Sequence, residues 1–231
     1  MPDFLQKESL FNFEQINALD CLNKLSESEK ELLVNHKTEV IYQPGECIVK
    51  RGMLVNNVLY LNEGLVKLEF INDQKPTTVA LINSHAFIGI VCCFAFEKFD
   101  FTVTALEETK VSFIEIEVFR KLIESNGAFA LSLIQHMSGV SNGLLHRLTS
   151  IYQKNIDGVL SMLLLEFHKI YGSVSFKIPM SRVEIAKMLG YSKESVINTL
   201  SKFNKEGIIK VKDRNIKILD LKKLQQIKKT S

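Results

Sequence analysis

"MSRVEIAKMLGYSKESVINTL", residues 180–200, is the stretch that decides the fold. Ser181 followed three residues later by Glu184 is a capping box, in which the two side chains satisfy each other's backbone N–H groups. A helix therefore opens there and runs through "RVEIAKML". Gly190 closes it at a turn that needs positive φ. Ser192 caps a second helix, "KESVINTLSKFNKEG", which Gly207 ends. Ile185, Leu189, Val196 and Leu200 fall on the inner faces, and Ala186 is small where the two helices cross. Beyond them, "IIKVKDRNIKILDL" reads as two strands around Asp213-Arg214-Asn215. Helix, glycine turn, helix and basic hairpin together make a winged helix-turn-helix, whose second helix enters the major groove by its N-terminal residues. The plainer alternative is a generic helical hairpin. The spacing of small Ala, turn Gly and inner Val, together with the wing, favours DNA.

Charge points the same way. The net charge is only +3, but from Ser181 onward there are 13 Lys/Arg against 5 Asp/Glu, which leaves 16 against 21 for the preceding 180 residues. A basic C-terminal quarter on a mildly acidic body fits a nucleic-acid-binding module attached to a sensing or assembly domain. The closing lysines, "KKLQQIKKTS", partly serve solubility. With 231 residues, 46% apolar and 24% charged, the chain has room for two cores of ordinary globular composition. No apolar run reaches the roughly 18 residues a membrane helix requires. The opening "MPDFLQKES" lacks a secretory pattern, so the four scattered cysteines (Cys21, Cys47, Cys92, Cys93) are expected reduced in a cytoplasm.

Upstream, "LSESEKELLVNH" holds another capping box, Ser26 with Glu29. From Thr38 to about Ile116 the character changes to short β-rich runs: "EVIYQ", "CIVKRG", "NVLYLNEG", "LVKLEFIN", "TTVALI", "TVTALE" and "KVSFIEI". Pro44-Gly45, Gly52, Glu63-Gly64 and Asn72-Asp73 punctuate them. Seven or eight such strands imply an antiparallel sandwich or barrel. A helical tract follows over about Val118 to Tyr152. In it Leu133, Met137, Val140, Leu144 and Ile151, spaced 4, 3, 4 and 7, fall on one heptad seam. On pattern alone such a stripe is more often a core face, but the tract's length after a complete β domain favours a dimer seam. A further helix, "NIDGVLSMLLLEFHKIYG", stops at Gly172, and "SVSFKIPM" leads into the opening motif.

The order of these parts resembles the CRP/FNR superfamily of bacterial transcription regulators across nearly the whole chain. The resemblance is carried by "QPGE" at 43–46, Gly52, "LYLNEGLVKL" at 59–68, Gly89, "TVTALEETKVSFIEI" at 102–116 and "SRVEIAKMLGYSKESV". It implies an α+β protein with three parts: an antiparallel, jelly-roll-like β-roll sensor with an N-terminal helix over 1–125, a dimerisation helix over 126–154, and a winged helix-turn-helix domain over 155–231. It further implies a homodimer that reads a palindromic DNA site and contacts RNA polymerase.

On the second helix, the family's basic-Glu pair, with Arg four residues after the Glu, corresponds to Lys193, Glu194 and Asn198. Glu194 suits cytosine N4, Lys193 suits guanine or phosphate, and Asn198, in place of Arg, suits adenine. Ser192 and Ser195 lie at the helix N-terminus, where N–H groups favour phosphate. Arg182, Lys202, Lys212 and Arg214 are weaker candidates for phosphate contacts. Thr199 stands where the family more often has an apolar residue.

Catalysis has little support: His36, His85, His136, His146 and His168 occur singly, without HExxH, GxSxG or P-loop patterns. Cyclic AMP is not expected as effector. Nucleotide-binding relatives carry a Gly-Glu pair and, about ten residues on, an Arg; here Ile90 follows Gly89, and Phe99 stands close to the Arg position. Lys98 is a poor substitute for a bidentate guanidinium. Phe87, Ile90, Cys92, Phe94, Phe99 and Phe101 would line an apolar effector pocket or simply fill the β-roll. Two alternatives stay open: a haem sensor using Cys92, Cys93, His85 or His146 as axial ligands, and a cyclic-nucleotide signalling module that does not bind DNA. The cysteine scatter argues against an iron–sulfur cubane, and no metal site is expected.

Overall fold

The computed structural model describes residues 18–72 and 75–231, the side chains at 72, 75, 147 and 150–152 excepted. It divides into two compact units, 18–144 among the described residues and Leu145–Ser231.

The first unit opens with helices α1 (Ala18–Leu22) and α2 (Glu27–Asn35). The expected capping box on α2 is present, with Ser26 N–H donating to the Glu29 carboxylate at 2.8 Å. These bonds hold the Glu29 carboxyl below the usual carboxylate range. Eight strands follow: β1 (Lys37–Tyr42), β2 (Cys47–Val49), β3 (Asn57–Glu63), β4 (Leu65–Asn72), β5 (Lys75–Asn83), β6 (Ala86–Ile88), β7 (Phe101–Ala105) and β8 (Thr109–Glu115). They form two antiparallel sheets, in orders β1-β8-β3-β6 and β2-β7-β4-β5. The turn expected at Asn72-Asp73 lies partly outside the described residues. Alternation is clean where one face is covered: Phe101, Val103 and Ala105 of β7 are buried while Thr102 and Thr104 are half-exposed. The buried set joins Leu59, Leu61, Val66 and Val111 in one core. Strand β6 and the single helical turn α3 (Ile90–Cys93) occupy the apolar stretch "HAFIGIVCC", too short and too uniformly apolar for either period to be legible.

The helical tract expected over 118–152 is two helices, α4 (Ile116–Ser125) and α5 (Gly127–Gln153). Asn126 separates them with an extended backbone, φ −123° and ψ 95°. Its amide donates to the Glu29 carboxylate at 3.0 Å and to Lys24 O at 3.1 Å, and its Oδ1 accepts from Phe129 N–H at 3.0 Å. One side chain thus caps α5 and ties it to α2.

The proposed seam divides when side-chain burial is considered. Leu133 is buried in the unit's own core and presents no free surface, while Met137 is half-buried and packs against that core. Val140 is half-buried, Leu144 is exposed, and the Ile151 side chain lies outside the described residues. Among the described side chains of α5, the most exposed apolar ones are instead Leu131, Ile134 and Leu145, followed by Leu148.

In the second unit, α6 (Ile156–Tyr171) is capped by Asn155, whose side chain accepts from Gly158 N–H, and ends at left-handed Gly172. Every residue from Gly158 to Phe167 is buried, because α6 is enclosed by the other elements of the unit. These are β9 (Ser175–Lys177), α7 (Arg182–Leu189), α8 (Lys193–Lys205), β10 (Ile209–Lys212), β11 (Asn215–Ile218) and α9 (Leu221–Thr230). The wing is a three-stranded antiparallel sheet, β10-β11-β9, because "SVSFKIPM" supplies a strand rather than a plain connection. The lysine-rich end, read as a partly solubilising tail, folds as α9 with Leu224 fully buried and packs on α6. A close approach occurs at Gly158: a Cβ there would lie 2.6 Å from the carbonyl carbon of Ser231.

Candidate nucleic-acid interface

Local chemistry builds the two-helix unit as its sequence dictates. Glu184 accepts from Ser181 N–H at 2.8 Å, and Gly190 takes φ +75° to end α7. Ser192 Oγ accepts from Ser195 N–H at 3.0 Å, and the two serine oxygens are 2.9 Å apart. Ile185, Leu189, Val196 and Leu200 are all buried, as is Phe203 one turn further on. Their packing leaves the opposite face of α8 in solvent, and on it Lys193, Glu194, Asn198 and Ser201 are exposed. No ion pair engages Lys193 or Glu194 among the described residues.

The nine residues expected to touch DNA do not stand alike. Lys193, Glu194, Asn198 and Ser192 are exposed, and so are Lys212 and Arg214 at the wing. Ser195 is half-buried and shares its hydroxyl with Ser192. Lys202 is already paired, with Nζ 2.6 Å from Asp157 Oδ2, and this ion pair raises its pKa. Arg182 turns toward the wing, donating from Nη2 to Asp213 O at 2.6 Å. Burial and, second, the neighbouring Arg214 press the Arg182 pKa down. Its contact holds a two-residue hairpin turn in which Asp213 has φ +55°, a conformation that Asp tolerates better than most residues.

Two features were not singled out in the sequence, and a third, Thr199, was noted there only as a polar residue at an apolar position. Ile197, 40% exposed, sits among the polar residues of the outer α8 face. A cleft of about 410 Å³ opens between α8 and the wing, lined by Arg182, Ile197, Ser201, Asn204, Lys205 and Val211 among others. Thr199, the unusual polar residue, is buried and donates to Asp157 Oδ1 at 3.3 Å. A single apolar residue interrupting the polar face of α8 was the available signal for Ile197; the other two features depend on tertiary contacts.

The expected effector residues form a packed aromatic core. Phe87, Ile90, Phe99 and Phe101 are buried, with Cys92 and Phe94 partly so. The Phe101 ring lies 5.3 Å from Phe99 and 6.0 Å from Phe70, centroid to centroid. It also covers Gly89, where an added Cβ would meet Cε1 at 2.9 Å and Cε2 at 3.1 Å. His85 is exposed at φ +65°, and His146 is exposed in the other unit. Burial drives the Cys92 and Cys93 thiols up to about 11 and about 12, so neither is poised as a thiolate ligand.

Comparison with known proteins adds two domain matches. A model of the cyclic nucleotide-binding domain matches residues 39–126, and one of the Crp-like helix-turn-helix domain matches 160–227. The transcriptional activator protein FnrA of Stutzerimonas stutzeri is 21% identical over 214 residues, 90% of this chain and 82% of FnrA. The transcriptional regulatory protein Btr of Bordetella pertussis is 39% identical over 57 residues, 25% of this chain and 24% of Btr. Among solved structures, a CRP/FNR-family protein of Eubacterium rectale superposes with TM-score 0.75 at 22% identity, over 93% of this chain and 100% of the other. FixK2 of Bradyrhizobium japonicum gives TM-score 0.68 at 19% identity, over 83% and 96%. At these identities the superpositions establish a common fold.

Proposed function

The chain belongs to the CRP/FNR family of bacterial transcription regulators, and from that premise we propose that it works as a homodimer reading a palindromic duplex without a cyclic nucleotide as effector. The observation that carries the DNA reading is the solvent face of α8, where Lys193, Glu194 and Asn198 stand exposed at the end of the helix that a winged domain presents to a major groove. Glu194 accepts from cytosine N4, Lys193 donates to guanine or phosphate, and Asn198 pairs with adenine. Lys212 and Arg214 supply phosphate contacts from the wing, and the unit's positive charge draws the duplex in.

A two-fold protein matches a palindromic site. The dimer seam uses Leu131, Ile134, Leu145 and Leu148 of α5, at heptad positions shared with Ser138 and Ser141, because these apolar side chains are left uncovered within one chain. Small serines at the middle of such a seam allow close helix approach.

The effector reading rests on the aromatic packing around Gly89. A cyclic phosphate needs concentrated donors, and burying one without them is costly. Residues 86–102 offer a single Lys and no Arg, and Phe101 occupies the space above the glycine. Fluorescence anisotropy with duplexes recovered by binding-site selection tests the DNA reading: a palindromic consensus supports it, and equal affinity for all sequences overturns it. Calorimetric titration with cyclic AMP and cyclic GMP is expected to give no binding tighter than about millimolar, roughly −4 kcal/mol. Micromolar affinity would overturn the effector reading alone.

A further inference from the structure

We infer that Asp157 withholds Lys202 from the DNA backbone, so that one of the cations on the reading helix adds nothing to sequence-independent affinity. This rests on the DNA-binding reading above and goes beyond it by naming a positioning residue on a different helix.

Asp157 lies in the first turn of α6, and its carboxylate receives two bonds from α8. Oδ2 takes the Lys202 ammonium at 2.6 Å, and Oδ1 takes the Thr199 hydroxyl at 3.3 Å. The second bond matters because Thr199 is only 5% exposed, so its hydroxyl has to find a partner inside the protein. The Thr199 bond helps to orient the carboxylate independently of Lys202. The ordering cost that makes most surface pairs weak is thereby reduced on the acidic side. The Asp157 side chain is itself only 20% exposed, whereas that of Lys202 is 52% exposed.

Lys202 follows Asn198 by four residues, one turn along the same helix, and so stands at the flank of the reading face. An unpaired lysine there would neutralise a phosphate and release a counterion. If DNA took Lys202, however, a half-buried carboxylate would lose its cation as a phosphate anion drew near. The ion pair therefore persists in the complex, and Lys202 stays electrically silent toward DNA. Because phosphate contacts carry no sequence information, silencing one raises the share of binding that depends on bases.

The test is the salt dependence of binding to a duplex without the selected site, for wild type, Asp157→Asn, Lys202→Ala and the double variant. Asn keeps an acceptor for Thr199 while removing the charge. Asp157→Asn should steepen the slope of log K against log salt by about 0.9, so that affinity falls about 3.5-fold more than wild type between 50 and 200 mM salt. Lys202→Ala alone should leave the wild-type slope unchanged, and adding it to Asp157→Asn should restore that slope. A role confined to packing would move affinity without this pattern. Two results overturn the inference: an unchanged slope in Asp157→Asn, or a slope made about 0.9 shallower by Lys202→Ala alone. Should Asp157→Asn fail to fold by circular dichroism, the Lys202→Ala slope decides. Absence of any duplex binding by the wild type would instead remove the functional reading, and this inference with it.

Discussion

Replacing Gly89 by alanine should destabilise the β-domain through two separable causes. The first is conformational: Gly89 caps α3 at φ +65°, where a residue with a Cβ pays about 1–2 kcal/mol. The second is steric, since the new methyl would sit against the Phe101 ring, within 2.9 Å of Cε1 and 3.1 Å of Cε2. That ring is 1% exposed and wedged between Phe99 and Phe70, so it has no free space into which to turn. Overpacking of this kind costs about 1–3 kcal/mol, giving about 2–5 kcal/mol in all. Scanning calorimetry suits a protein of two units, because it resolves transitions that a single two-state fit would blur. At roughly 3–5 °C per kcal/mol for a domain of this size, the β-domain transition should fall by about 6 °C or more. The steric part alone should vanish when the ring is shortened, so in a Phe101→Leu background the same Gly89→Ala change should cost only about 1–2 kcal/mol. Additivity of the two substitutions within about 0.5 kcal/mol would refute the argument that Gly89 exists for the phenylalanine above it.

Three other outcomes are expected. Glu194→Ala should relax preference at one base pair per half-site by about 1–3 kcal/mol in binding-site selection, whereas Lys212→Ala should weaken binding to every duplex and flatten its salt dependence. In sedimentation at micromolar concentration, Ile134→Asp should yield monomers that remain folded, while Leu133→Ala should stay dimeric but lose about 2–5 kcal/mol of stability from the β-domain core. Burial raises Tyr60 to about 12, and Cys92 and Cys93 to about 11 and 12. Because the unfolded chain ionises these groups first, their contribution is complete below about pH 9 and is lost as pH climbs toward 12. Cys93→Ala should make the fall of Tm above pH 9 shallower, and an unchanged fall would show that this thiol is not responsible.

How far the sequence could be read followed the distance over which each feature is determined. The boxes Ser26/Glu29 and Ser181/Glu184 span four residues each, and both form as expected. Gly190 and the wing hairpin are equally local. The break at Asn126 was hidden because its amide finds Glu29, 97 residues earlier. Helix α5 carries two apolar stripes offset by a few residues, and periodicity alone does not say which one the chain's own core will claim. Leu133 went inward and Ile134 outward. In the lysine-rich end, abundant charge masked the Leu221, Leu224, Ile227 spacing that seats α9. On the exposed face of α8, residue types made Lys193, Glu194 and Asn198 the candidates for base contact, while only tertiary geometry reveals that Arg182 and Lys202 are already engaged.

The buried Thr199 hydroxyl bears on how freely this protein's target preference can be rewired. Segment 193–205 looks like a cassette that could be lifted into another winged scaffold, or exchanged for a relative's, with its base preference intact. It is not self-sufficient, because Thr199 and Lys202 both look to a carboxylate 42 and 45 residues earlier in the chain. Transplanted into a host with an apolar residue at position 157, the helix would bring along a stranded hydroxyl and an unneutralised cation. The reverse graft, with an apolar residue at 199, would leave Asp157 short of one donor. A graft that changes residue 199 therefore has to change position 157 on α6 as well.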